Sequence, residues 1–332
     1  MHELAFPLLV GLIVIALAFD FLNGLHDAAN SIATVVSTRL LSPVAAVAFA
    51  AVGNFAAYWL VPLHVADTIG KGIINKDMVT PGVVFGALIG AMFWNVVTWL
   101  KGIPSSSSHA LLGGLLGAGI AHAGLGAVES KKTIETVFAI FLSPMIGFAL
   151  AMLMVLITSW LFKGFQPRRA EGVFKTLHLF SSAAYSISHG GNDAQKTMGI
   201  IAVLLYSTGN LQGEFHIPTW VVISCYLAIS LGTLSGGWKI IKTMGTKITK
   251  LNHHTGFCAS TAGSIVVFSA SAMGIPVSTT HAITGSVIGT GAARKASAVR
   301  WGVAGRVITA WFITIPASAA VGAIFYTLTR MF

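Results

Sequence analysis

The chain has 332 residues, of which 55% are hydrophobic and 9% charged, and its formal net charge is +10. Mean hydropathy is +0.81. A soluble domain carries about 25% charged residues, so this composition cannot clothe a globule in water; it excludes a cytosolic enzyme, a nucleic-acid-binding module and a disordered scaffold.

Apolar runs fall at 4–38, 43–63, 80–100, 105–123, 134–162, 174–206, 218–238, 254–274, 277–292 and 301–329. None shows the alternation of a barrel strand, so the expected fold is an all-α polytopic membrane protein in a lipid bilayer. Met1-His2-Glu3 lacks the basic start and small-residue cleavage site of a signal peptide, and 4–38 is read as a permanent span. Cys225 and Cys258 lie in apolar context and imply neither a disulfide framework nor a metal knuckle. The sequence contains no G-x-S-x-G, H-E-x-x-H or Walker motif, and no loop long enough for a nucleotide domain. An enzyme is not expected, and uphill transport would draw on an ion gradient or a partner.

The two halves carry matching polar motifs. Asn23-Gly24-Leu25-His26-Asp27-Ala28 corresponds to His189-Gly190-Gly191-Asn192-Asp193-Ala194 at an offset of 166 residues. Pro104 to Ala110, with Ser105, Ser106, Ser107, Ser108 and His109 between them, corresponds to Pro276 to Ala282 at an offset of 172. Such recurrence in order signals an internal repeat. It divides the chain into a first repeat (1–162), a linker (163–173) and a second repeat (174–332). If each half crosses three times, with one helical hairpin returning to its own side, the second is inverted. Basic residues agree: Arg39, Lys163, Arg168, Arg169, Lys175, Lys239, Lys242, Lys247, Lys250, Arg294, Lys295 and Arg300 fall on one side, twelve against five (Lys71, Lys76, Lys131, Lys132, Arg330) on the other. That bias places the twelve in the cytoplasm and both termini outside, in a cell inner membrane.

Asp20, Asp27 and Asp193 are the acids lying well inside apolar runs. A charged carboxylate at mid-bilayer needs a partner, a cavity or a proton. Asp27 and Asp193 occupy equivalent places beside glycine, which suits locally broken helices lining an ion and substrate site; a structural polar knot is the alternative. Asp20 corresponds to Ser186 and reads as a structural partner. Asn30 and Lys196 each follow an acid by three residues, on its helical face. Lys196 is placed to pair with Asp193, to attract an anion, or to snorkel. The tips Ser105–Ser108 and Ser278, Thr279, Thr280 follow proline, so they read as helix starts whose hydroxyls and free N–H groups suit a tetrahedral oxyanion; ordinary capping is the alternative. His109 and His281 could meet the anion, carry a proton or bond a backbone carbonyl, and His26 and His189 stand beside the acids as protonation sites. Gly113-xxx-Gly117 and Gly285-xxx-Gly289 read as packing signals.

His26-Asp-Ala-Ala-Asn-Ser31, His189-Gly-Gly-Asn-Asp-Ala-Gln-Lys196 and the two proline-hydroxyl-histidine tips together resemble the PiT family of inorganic phosphate transporters, over nearly the whole chain. The resemblance implies a secondary symporter with two inverted-topology repeats and phosphate held between them. It maps the family's acid onto Asp27 and Asp193, with Asn23, His26 and Asn192 beside them as the coupling-ion region, and its last Asn onto Asn30. The phosphate contacts it implies are Ser105, Ser106, Ser107, Ser108, Ser278, Thr279, Thr280, Asn30 and Lys196. His26 and Lys196 depart from the family's asparagines. An ammonium cannot ligate sodium and would stand in a cation's place, so proton coupling is expected. The variant is similar to carriers of metal–phosphate complexes, which leaves a divalent metal open as co-substrate. No cofactor or fixed metal is expected; sodium coupling, another oxyanion such as sulfate, a channel, and pairing as a homodimer stay open.

Overall fold

In hydrocarbon every backbone N–H must find its acceptor within the protein, and a helix achieves this locally. The computed structural model describes residues 6–72, 78–211 and 213–331, and among them helices are the only regular elements. In chain order they are α1 (Phe6–Ser37), α2 (Pro43–Leu60), α3 (His64–Gly72), α4 (Pro81–Lys101), α5 (Ser107–Ala123), α6 (Ser130–Leu161), α7 (Pro167–Ser207), α8 (Thr219–Ser235), α9 (Trp238–Lys242), α10 (His253–Ala272), α11 (Thr279–Arg294) and α12 (Trp301–Thr329). Seven of the described helices are long and apolar enough to cross a membrane, and α8 with the segment Trp238–Lys247 makes an eighth, bent by 64°. Lys76, which entered the charge count, lies outside the described residues.

Local chemistry sets the helix starts. Ser42 caps α2 ahead of Pro43, and Thr80 caps α4 ahead of Pro81, each accepting from the third residue on at 3.3 Å. Asn252 and Thr255 form a reciprocal capping box on α10.

Two expectations need correction. Helices α1 and α7 run without interruption past Asp27 and Asp193; the chain bends between α8 and α9 instead. The glycines beside the acids serve contact rather than unwinding. A Cβ on Gly24 would sit 2.1 Å from the Ile229 carbonyl oxygen of α8, and one on Gly190 2.5 Å from that of Asn54 in α2. The linker (163–173) is a turn only over 163–166 and helical beyond, because α7 begins at Pro167. Proline at the first helical position and a Glu171–Lys175 ion pair at 3.1 Å suit this water-exposed start. At 41 residues α7 is about 60 Å long, roughly twice the hydrocarbon core, so it projects well beyond it.

Packing interleaves the halves. The α4–α5 hairpin lies on α12, the α10–α11 hairpin on α6 and α7, α1 on α8, and α2 on α7 and α8. The glycine pairs make the first two contacts close: a Cβ on Gly117 would fall 2.0 Å from the Ala319 carbonyl oxygen of α12, and one on Gly289 2.3 Å from that of Phe148 in α6. Both hairpin tips are thereby held deep inside the protein.

Candidate functional site

Each hairpin turns at an elbow of the same construction. Gly102 closes α4 with φ +64° and Gly274 closes α10 with φ +69°, a backbone region glycine enters freely. Ile103 N–H donates back to the Thr98 carbonyl at 2.9 Å and Ile275 N–H to that of Ala270 at 2.8 Å, while the glycine N–H groups reach Trp99 and Ser271, completing a Schellman turn in both. After the proline, Ser106 caps α5 and Ser278 caps α11, accepting from the backbone N–H of His109 and His281 at 3.2 Å. These two serines are committed to capping. The residues after each cap, Ser107 and Ser108 or Thr279 and Thr280, stand at the start of a helix with their side chains buried.

The two elbows meet each other and the two acids. Ser107 donates to Asp27 Oδ2 at 3.1 Å, and its counterpart Thr279 donates to Asp193 Oδ2 at 2.9 Å. The residue three past each acid then crosses to the other half's elbow. Asn30 Nδ2 donates to Thr280 Oγ1 at 2.9 Å, and Lys196 Nζ donates to Ser108 Oγ. Thr280 also donates to Asp27 Oδ1 at 3.3 Å, and Ser108 to the Val277 carbonyl at 3.0 Å. The repeat seen in the motifs is therefore a repeat of contacts. Its two copies share one buried centre, in which Asp27, Asn30, Lys196 and Asp193 are each 2% exposed or less.

Departures between the copies fall where the motifs differ. Lys196 spends its three N–H donors on Asp193 Oδ1, Ser108 Oγ and the Val277 carbonyl. His26 Nδ1 lies 2.6 Å from Asp27 Oδ1, and its Nε2 lies 3.1 Å from Thr98 Oγ1, which also accepts from Ser105 at 2.8 Å. His189 Nε2 is 3.2 Å from Asp193 Oδ2, and its Nδ1 is 3.0 Å from Asn54 Oδ1. Asn192 turns to Ser271 and the Ile275 carbonyl, bracing its own elbow from behind. Asn23 stands beside Asp20, about one helical turn before Asp27. His109 and His281 also face away from the hydroxyls: their rings meet edge to face at 4.3 Å, and His281 stacks on Trp311 at 3.8 Å.

Sequence reasoning missed several participants. Thr98 ties His26 to Ser105, Tyr185 donates to the Thr279 carbonyl at 2.8 Å, and Asn54 joins His189 to Thr233. Asn54 had a signal, as an amide within the apolar run 43–63, and Tyr185 another, at two helical turns before Asp193.

The centre can offer an oxyanion four hydroxyls, an ammonium and the N-terminal ends of α5 and α11, whose dipoles favour negative charge. It can offer a cation one ligand atom each from Asp27, His189 and Asp193, all within 4.8 Å of one another. Those atoms already serve Ser107, Thr280, Thr279 and Lys196 or face a histidine, so a cation there competes with the protein's own donors.

A polytopic helical protein whose halves share a buried polar centre is built as a membrane transporter. Residues 23–322 match the phosphate transporter family, and the chain belongs to that family. It is 61% identical over 323 residues to the probable low-affinity inorganic phosphate transporter of Rhizobium meliloti (strain 1021), covering 97% of each chain. Identity to the protein of the same description from Bacillus subtilis (strain 168) is 43% over 322 residues, covering 96% of each. The fold is similar to the solved structure described as the sodium-dependent phosphate transporter, with a TM-score of 0.91 at 26% identity, over 98% of this chain and 100% of that one.

Proposed function

We propose that this protein imports inorganic phosphate across the cell inner membrane by alternating access, as a symporter coupled to protons. The observation that carries this reading is the crossed pairing at the centre, where each half's elbow is held by the other half's Asn30 or Lys196. Those bonds close the site and use the same groups that would grip phosphate. Bound phosphate replaces Asn30–Thr280 and Lys196–Ser108 with its own contacts, so loading frees one half to rock against the other. Ser107, Ser108, Thr279 and Thr280 orient the anion, the ends of α5 and α11 supply field and N–H groups, and Lys196 offsets its charge. The basic-residue bias sets the termini outside and the twelve-residue basic side in the cytoplasm.

Proton coupling is favoured by Lys196, whose ammonium already answers Asp193 where a sodium ion would otherwise have to sit. Sodium coupling is the second reading. The cluster of Asp27, His189 and Asp193 favours it, and so does the sodium dependence named for the structural relative. Uptake of labelled phosphate into proteoliposomes, under separate proton, sodium and magnesium gradients, separates the readings. Proton coupling requires accumulation driven by an inward proton gradient in sodium-free buffer, unaffected by excess sulfate. Accumulation that needs sodium and ignores the proton gradient refutes it, and a magnesium requirement makes the metal complex the substrate.

A further inference from the structure

Of the three acids buried among the described residues, two are well served. Asp27 faces His26, Ser107 and Thr280; Asp193 faces Lys196, His189 and Thr279. Asp20 is different. It is fully buried on α1, and neither carboxylate oxygen closes a hydrogen bond. Asn23 of α1 and Thr197 of α7 stand beside it, and their Asn23 Oδ1 and Thr197 Oγ1 atoms are buried and unpartnered too. The charged and titratable groups around it are Asp193 and Lys196 of α7 and Cys225 and Tyr226 of α8.

The cluster holds donors that do not reach the acid. The two carboxylate oxygens and the Asn23 amide oxygen only accept, the Asn23 amide nitrogen carries two hydrogens and the Thr197 hydroxyl one, and none of these closes a hydrogen bond on Asp20. The nearby ammonium of Lys196 has no hydrogen left, since its three go to Asp193, Ser108 and Val277. A proton on the acid lets these groups pair. A carboxylic O–H on Asp20 donates to Asn23 Oδ1, Thr197 donates to the second carboxyl oxygen, and a lone charge in hydrocarbon is removed.

We propose that Asp20 is the residue that carries the coupling proton, an assignment that rests on the proton-coupled reading above. The link to phosphate runs through neighbours in sequence, Lys196 and Thr197. When Lys196 turns to phosphate, Asp193 loses its counter-charge close to Asp20, and an ionised Asp20 would then face an uncompensated carboxylate. Protonation of Asp20 removes that conflict, so the site loads readily only with both proton and phosphate. The proton moves with its host between the two openings and leaves to water on the inner side.

The test uses the full-length protein in liposomes containing a trapped pH dye. The wild type should acidify the lumen on addition of external phosphate without sodium. Asp20→Asn, which holds the neutral form permanently, should lose phosphate-driven acidification and accumulation on a proton gradient, each by at least tenfold. Phosphate–phosphate exchange should fall much less, and Asp20→Glu should recover acidification. Infrared difference spectra of the purified protein give a check independent of transport: the wild type should show a carbonyl band of a protonated carboxylic acid that responds to pH and is missing from Asp20→Asn. Acidification and a carboxylic band both retained by Asp20→Asn would overturn the assignment while leaving proton coupling standing. A wild type that accumulates phosphate only with sodium, moving no protons, would overturn both.

Discussion

Lys196→Met keeps an unbranched stem at the centre and removes the ammonium from Asp193, Ser108 and the Val277 carbonyl together. Asp193 is fully buried, so its carboxylate loses a counter-charge that water cannot replace. Breaking a buried pair from one side costs about 3–5 kcal/mol. At about 1.4 kcal/mol per tenfold, the folded-to-unfolded ratio should fall by roughly a hundredfold or more. Asp193→Asn alone strands the ammonium and should cost a similar amount. The double variant strands neither charge, so it should be more stable than the sum of the singles implies by about 2 kcal/mol, within the range known for contacting residues. Denaturant unfolding of the purified protein in detergent, with intrinsic fluorescence as readout, gives all three values. Transport in liposomes should be lost in all three, because repairing the charge balance does not restore the anion's partner. Single costs that add to within about 0.5 kcal/mol would show that Lys196 and Asp193 do not act as a pair.

Asp27→Asn should abolish coupled uptake while the protein still folds, since one of the two hydroxyls that now meet separate carboxylate oxygens can donate to the amide oxygen and the other can accept from the amide N–H; near-normal uptake would remove Asp27 from the mechanism. Ser107→Ala and Thr279→Ala each delete a hydroxyl at equivalent places, and each should raise the phosphate KM by about fivefold to tenfold, the worth of one hydrogen bond, with no change in sodium dependence. Gly117→Ala forces a methyl to within 2.0 Å of the Ala319 carbonyl oxygen, so it should lower thermal stability by about 1–3 kcal/mol, whereas Gly126→Ala, with open space around it, should not. Membrane-impermeant thiol reagent should label Lys131→Cys in intact cells and Lys163→Cys after lysis only; the reverse pattern would invert the proposed topology.

Helix positions were legible because lipid leaves one local solution, and apart from the early start of α7 the apolar runs begin and end within a few residues of the helices that carry them. The elbows were legible because proline, a capping hydroxyl and glycine each have a single mechanical use at a helix end, and here all three recur. Glycine beside a buried acid is ambiguous, and that is why unwinding at Asp27 and Asp193 was wrongly expected. Gly24 and Gly190 read as flexibility in one dimension but exist for contact with Ile229 and Asn54, residues far away in sequence. His109 and His281 follow the hydroxyls by one residue, yet a helix turns about 100° per residue, which carries their rings behind the elbow onto each other. Thr98 acts by closing a distance between helices, and no local pattern records such a distance. The state of Asp20 is of the same kind: the sequence shows a costly acid, and only the packing of α1, α7 and α8 shows that neither of its oxygens closes a hydrogen bond.

The most direct measurement is the location of a tetrahedral anion in the protein, using arsenate as a phosphate surrogate and its anomalous scattering in crystals grown from detergent or lipid. A single site is expected between the elbows, within hydrogen-bond reach of Ser107, Ser108, Thr279 and Thr280, with Lys196 turned from Val277 toward it. An anion bound at high occupancy away from both elbows, with the Asn30–Thr280 and Lys196–Ser108 contacts still closed, would contradict the account.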